Sequence, residues 1–309
     1  MVSCLNKDSN NQQKLFLENL ASVLKQTDII FCETRAITET NMKLTHCYVG
    51  GYLYGDMKNE TKDNNNKSLF HINGDTRASE ILSLSKSRQN IDFHQSLMEN
   101  SQEAKLLKFF LISTICHNAQ VEINPLSGEI QYTNTVIDLP LIEGAKAMGF
   151  VLTNRTSDSI EVKNEYNQQT YKWEILHYLP FDSLRKKTSI IVKKANCHLN
   201  KIYLFTKGSP EVIMPIVSQE SDYLKVREVI NKFCSNGQRT GVLTMKILEQ
   251  NEFSDWLTRV NEAYKIENEE ERCKKISQLY SLIEKDLNIS GIYSQDYLLR
   301  DSVYDFFRS

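Results

Sequence analysis

Two short clusters carry the side-chain types needed to hold a charged ligand with a flat ring. The first is Phe181-Asp182-Ser183-Leu184-Arg185-Lys186-Lys187 and the second is Lys207-Gly208-Ser209-Pro210. An aromatic face stacks on a planar ring, a guanidinium fork pairs with phosphate oxygens, and an ammonium serves as a point charge beside them. Together the clusters suit a ligand with a ring at one end and phosphates at the other. Taken singly, Phe181 fits a core position, Arg185-Lys186-Lys187 fits a solvated turn, and Lys207-Gly208 fits a turn with a surface lysine.

The clusters are bracketed by three runs rich in β-branched and aromatic residues, 173–179, 188–192 and 202–206, which read as strands. A helical pattern follows at 211–217. Upstream, residues 1–13 form a polar tail and 15–24 a short helix. Residues 28–32 read as a buried strand followed by a polar loop at 33–41. A strand pair at 43–54 turns at Gly50-Gly51. Residues 55–102, with Asn64-Asn65-Asn66, are charged and weakly apolar, which marks an insertion with one helix near 81–87. Apolar residues nearly encircle 103–115, predicting a buried helix that ends at Cys116-His117-Asn118, with His117 as a satisfied helix-end side chain. Short strands flank the turn at 124–128, a helix at 139–148 stops at Gly149, and strands follow at 150–153 and 159–162. Downstream come a helix at 221–234, a strand at 240–247, helices at 251–263 and 269–287 and a strand at 289–293. The apolar strands at 29–31 and 289–292 are candidates to pair, which would make the intervening chain an insertion in another domain. The fold class is α/β in the mixed, α+β sense.

The chain has 309 residues, ample for a sizeable core. Lys and Arg total 37 against 39 Asp and Glu, so no net charge argues for nucleic acid or an anionic membrane surface. No apolar run reaches the roughly 18 residues that would span a bilayer. The seven cysteines are widely spaced without a CxxC, and the six histidines without an HExxH, so neither a disulfide framework nor a metal centre is expected.

Several motifs in order resemble the type-IV P-type ATPases, the phospholipid flippases. The family's FFLALAVCHT helix is similar to Phe109-Phe110-Leu111-Ile112-Ser113-Thr114-Ile115-Cys116-His117-Asn118. A Tyr…ProAspGlu…LeuVal…GlyPhe segment is partly matched by Tyr132, Asp138, Leu141-Ile142 and Gly149-Phe150. FxSxRKRMSVIV resembles residues 181–192, LYCKGAD resembles 203–210, GLRTL resembles 237–241, and ELIEKxLxLLG resembles 281–291. The resemblance implies an antiparallel sheet flanked by helices, the nucleotide-binding domain, at 43–288 with the insertion at 55–102. It implies short pieces of the Rossmann-like phosphorylation domain at 27–42 and 289–309, after a tail and short helix at 1–26. It further implies ATP as ligand. Phe181 stacks on adenine, Lys207 lies near the ring or α-phosphate, Gly208 lets backbone approach, and Arg239 reaches phosphate. Asp138 stands where the family has a Glu that accepts from the adenine amino group, and Ser183 and Arg185 shape the pocket. Mg²⁺ is expected for the parent, with ligands outside this chain.

The family's DKTGTLT carries the Asp that becomes the aspartyl-phosphate, a step that needs a carboxylate. The gapless match here is Cys32-Glu33-Thr34-Arg35-Ala36-Ile37-Thr38, with Cys32 at the Asp position. A one-residue gap would bring in Glu33, whose extra methylene misplaces the carboxylate by about 1 Å. No catalytic residue is therefore expected, and no ordinary pump phosphorylation.

The chain is thus expected to be a fragment of a multi-pass membrane protein, on the cytoplasmic face. Its partners would be the parent's other domains and a flippase-type accessory subunit, with no nucleic acid. The broken motif and Asn-rich insertion are similar to the degenerate flippase-like module of protist guanylate cyclases, which would tie the parent to cGMP synthesis. Three functions follow: a regulatory ATP-binding pseudoenzyme module, a fragment of a working flippase, or a scaffold with a collapsed pocket.

Overall fold

The computed structural model describes residues 38–55, 72, 75–84, 97–134, 137–183, 185–197, 199–218 and 223–299. The tail, the helix expected at 15–24, the strand at 28–32, Cys32 itself, most of the 55–102 insertion and residues 300–309 lie outside this set. The chain divides into a large unit, Lys43–Asp296, and a second unit of Met1–Met42 with Tyr297–Ser309, described only over 38–42 and 297–299, which are strand.

The large unit is built on a nine-stranded sheet. Its strands are β1 (Thr38–Val49), β2 (Tyr52–Tyr54), β5 (Phe150–Arg155), β6 (Ser159–Asn164), β7 (Gln169–Leu179), β8 (Lys187–Lys194), β9 (Ile202–Gly208), β10 (Arg239–Leu248) and β11 (Asn288–Leu299). A separate two-stranded ribbon joins β3 (Gln120–Ile123) to β4 (Ile130–Thr133). The sheet order is β2-β1-β11-β10-β9-β8-β7-β6-β5. The β1–β2 pair and the run from β5 to β11 are antiparallel. The β1–β2 hairpin turns on Gly50 and Gly51 with φ of 60° and 94°, a pair of positive values that glycine adopts without steric cost. The strand expected at 43–54 begins earlier, at Thr38, inside the stretch predicted as loop.

Alternation along the strands sends side chains to two cores. Ile190, Val192, Tyr203 and Phe205 face one cluster, whereas Ile191, Ile202 and Leu204 face another. The first is covered by helices α1 (Arg77–Ser83), α2 (Gln102–Ile115) and α3 (Leu139–Ala147). α2 buries Leu106, Phe109, Phe110, Leu111, Ile112 and Ile115, and Phe110 stacks on Phe150 at 5.5 Å. Its first turn is capped by Ser101, whose hydroxyl accepts from the Ala104 amide. On the opposite face lie a short helix α4 (Pro210–Ile213), then α5 (Tyr223–Ser235), α6 (Gln250–Ala263) and α7 (Glu269–Ile283). α6 and α7 pack as a pair, with the Trp256 indole donating to the Leu279 carbonyl at 2.8 Å.

The strands predicted at 173–179, 188–192 and 202–206 are β7, β8 and β9. The helix predicted at 211–217 is shorter, a single turn continued by a 3-10 turn at Met214–Ile216, where Pro215 interrupts it. The strand at 289–293 is the longer β11, and the part of it up to Asp296 belongs to the large unit.

Candidate nucleotide-binding cleft

The chemistry-bearing clusters meet where four central strands end together. The register sets Thr188 opposite Lys207, Lys207 opposite Leu243, Gly241 opposite Tyr293 and Arg239 opposite Gln295. The start of β8, the end of β9, the start of β10 and the end of β11 therefore form one floor. The exposed C-terminal residue beyond α2, Asn118, and the N-terminus of α3 stand beside it. Between them opens a cleft of about 720 Å³.

Phe181, Ser183, Lys207, Gly208, Arg239 and Asp138 all line this cleft. Phe181 is 63 % exposed, so its ring is presented to the cleft and not spent in the core. Ile137 is similarly exposed beside it, an apolar surface with room for a flat ring. Arg239 and Lys186 are exposed and make no ion pair among the described residues.

Lys207 is only 7 % exposed and its ammonium bonds Asp138 at 2.5 Å. Asp138 occupies the N-cap position of α3, yet its carboxylate does not cap that helix. It is held by the lysine instead. Gly208 is needed for packing as well as approach: a Cβ there would come within 2.9 Å of the Lys187 Cβ and 3.0 Å of Ile213. Gly241 has a similar role, since a Cβ would lie 2.3 Å from the Tyr293 ring that closes the floor.

Arg185 stands apart from the residues that line the cleft. It does not line the cleft and is 5 % exposed behind it. Its Nε donates to Asp182 at 2.6 Å, Nη1 to Glu284 at 2.6 Å and Nη2 to the Pro180 carbonyl at 2.5 Å. Lys187 is buried as well, 3.3 Å from Glu284. The Arg185-Lys186-Lys187 run is therefore not a solvated turn. Only Lys186, with φ of 51°, turns outward to the cleft. The turn that precedes β8, with Lys186 in a left-handed conformation, is what sorts three adjacent cations into two buried and one presented, and composition carries no trace of it.

The end of α2 is structural, as expected for His117. Its ring is fully buried, with Nε2 on the Thr114 carbonyl at 2.7 Å and Nδ1 accepting from the Ala119 amide at 3.1 Å. Burial holds its pKa well below the usual histidine value. Beside it, burial pushes the Cys116 thiol up to about 12, and its sulfur contacts the carbonyls of Thr188 and Phe205 at 3.5 Å. The pair ties α2 to β8 and β9 and leaves Asn118 at the cleft edge. No group of three or more His, Cys, Asp or Glu able to hold a metal occurs among the described residues.

The side chains missed from the sequence are Lys186, Tyr293 and Glu284. Glu284 lies in the segment resembling ELIEKxLxLLG, so a signal existed, but no spacing argument links it to Arg185 across 99 positions.

The family model for the P-type ATPase cytoplasmic domain N matches residues 105–294. Human phospholipid-transporting ATPase IH is 28 % identical over 93 % of this chain and 24 % of its own length. Phospholipid-transporting ATPase C887.12 of Schizosaccharomyces pombe is 25 % identical over 97 % of the chain and 23 % of its own length. Mouse phospholipid-transporting ATPase IC is 28 % identical over 91 % and 22 % respectively. The chain thus spans about a quarter of the length of the curated relatives it matches. With the family model matching more than half of the chain, the chain belongs to the P-type ATPase cytoplasmic domain N family, with phospholipid-transporting ATPases among its relatives.

Proposed function

We propose that the cleft binds ATP, with adenine against Phe181 and the phosphates toward Lys186, Lys207 and Arg239. The observation that carries this is the exposed ring of Phe181 at a cleft that also holds Lys186 and Arg239, which make no ion pair among the described residues. A collapsed scaffold would have buried that ring among apolar neighbours. Asp138 accepts from the adenine amino group, and Ser183 completes the loop edge. Mg²⁺ enters on the nucleotide phosphates, with its protein ligands elsewhere in the parent. Calorimetry with ATP tests binding. No heat at millimolar ATP, or an unchanged affinity in Phe181→Ala, sinks the assignment.

The module is regulatory: it binds ATP without forming an acyl-phosphate, because a thiol stands at Cys32 where the family's carboxylate would be. Its parent is a multi-pass membrane protein with this domain on the cytoplasmic face, of the flippase-like guanylate cyclase type, without phosphoryl turnover at this module and served by the parent's other domains and a flippase-type accessory subunit. A second function, a fragment of a working lipid-translocating ATPase, is favoured by the relatives, phospholipid-transporting ATPases that match over more than nine-tenths of the chain. Labelled ATP given to the full parent separates the two. An acid-stable, hydroxylamine-labile phosphoprotein supports the second and overturns the first.

A further inference from the structure

We propose that Glu284 is a positioning residue for the nucleotide loop, holding its buried side so that Phe181 and Lys186 stand in the cleft. The role presupposes ATP binding in that cleft.

Glu284 sits just past the C-terminus of α7 and is fully buried. Its Oε1 accepts from Arg185 Nη1 at 2.6 Å and from the Ser189 hydroxyl at 2.5 Å. Its Oε2 lies 3.3 Å from the Lys187 ammonium but receives no hydrogen bond. Arg185 in turn holds Pro180 and Asp182, and its guanidinium covers the Tyr280 ring of α7 at 5.0 Å. One guanidinium thus fastens the start of the loop, its middle and α7 together. Lys187 and Ser189 reach Glu284 from the reverse face of β8, whereas Thr188 between them lines the cleft. A single carboxylate therefore fixes both the loop and the strand that carry the cleft residues.

Buried ion pairs add little stability over apolar packing, because desolvation offsets most of the attraction. What the fork contributes is direction: three guanidinium nitrogens aimed at three acceptors leave the loop one arrangement. Preorganised side chains bind ligand without ordering cost, so loosening the fork should weaken binding even where the fold survives.

The test uses the full 309-residue chain with Glu284→Gln, which keeps size and removes charge. Two amides report on the loop without nucleotide: Arg185 N–H on Asp182 Oδ1 and Lys186 N–H on the Asp182 carbonyl, both at 2.8 Å. Their hydrogen exchange should accelerate about tenfold, with the Val260 amide of α6 unchanged, and ATP should bind about tenfold more weakly well below the melting temperature. Adding Phe181→Ala should then cost less than it does in the unsubstituted chain. If Glu284→Gln does not fold, Arg185→Lys keeps the charge, gives up the fork and should produce the same changes. Unchanged exchange at both amides overturns the role. So does faster exchange with unaltered ATP affinity, which would reduce Glu284 to a brace. If the unsubstituted chain itself binds no ATP, the ATP assignment fails by that result, while the exchange rates still decide whether Glu284 holds the loop.

Discussion

The ammonium of Lys207, at the end of β9, lies 2.5 Å from the carboxylate of Asp138, at the start of α3, 69 positions away. This pair joins the helical layer to the sheet floor at the point where a nucleotide would enter. A phosphate reaching Lys207 competes with Asp138 for the same charge. Asp138→Asn should therefore tighten the binding of inorganic tripolyphosphate several-fold, on the order of 1 kcal/mol, by removing the internal competitor. Titration of that anion by calorimetry reads the result. Unchanged affinity would mean that Lys207 stays with Asp138 and takes no part in phosphate binding.

Phe181→Ala should separate binding from stability. Base–aromatic stacking contributes about 1–3 kcal/mol, so ATP should bind roughly ten- to a hundredfold more weakly. Because the ring is mostly exposed, the melting temperature should stay put. A large drop in melting temperature would show that the ring packs rather than waits for a ligand.

Neighbouring cations should behave in opposite ways. Lys186→Ala should weaken ATP binding and flatten its dependence on salt, with little effect on folding. Arg185→Ala leaves buried Glu284 with only the Lys187 ammonium and the Ser189 hydroxyl among the described residues, and should cost about 3–5 kcal/mol of stability. Denaturant melts and ATP titrations at two ionic strengths distinguish the pair, and an equal stability loss in both variants would contradict the burial pattern.

Acid should destabilise the chain through His117. Burial lowers its folded pKa well below 6.5, as it also lowers that of His177. Below about pH 6.5 the unfolded chain takes up protons that the folded chain refuses, so the contribution is complete above that value and is lost as pH falls through it. The slope should approach ~1.4 kcal/mol per pH unit for each such group. His117→Gln should remove its share of that slope between pH 6.5 and 5 in urea melts. An unaltered slope would place the acid sensitivity elsewhere.

Gly241→Ala should damage the cleft without touching ligand. The added methyl meets the Tyr293 ring at 2.3 Å, so that ring must move off the floor. A core overpacking of this kind costs about 1–3 kcal/mol. ATP affinity should fall with it, as measured on the folded protein, and an unchanged affinity would remove Tyr293 from the floor of the site.

Local pattern alone determined the strands β7, β8 and β9, the encircled helix α2 and the ordered motifs around Phe181, Lys207 and Arg239. These features depend on side-chain period and on residue types a few positions apart, which the chain carries in its own order. Three things were decided only by tertiary structure. The antiparallel register brought the ends of β8, β9, β10 and β11 together, setting Lys207 beside Thr188 and Arg239 in the same cleft. The turn before β8, left-handed at Lys186, buried Arg185 and Lys187 and presented Lys186, although the three read alike in sequence. Glu284 came to bond Arg185 from 99 positions away. Such contacts arise between elements that the sheet and the packing on its faces bring together, and no local spacing encodes which of them will meet.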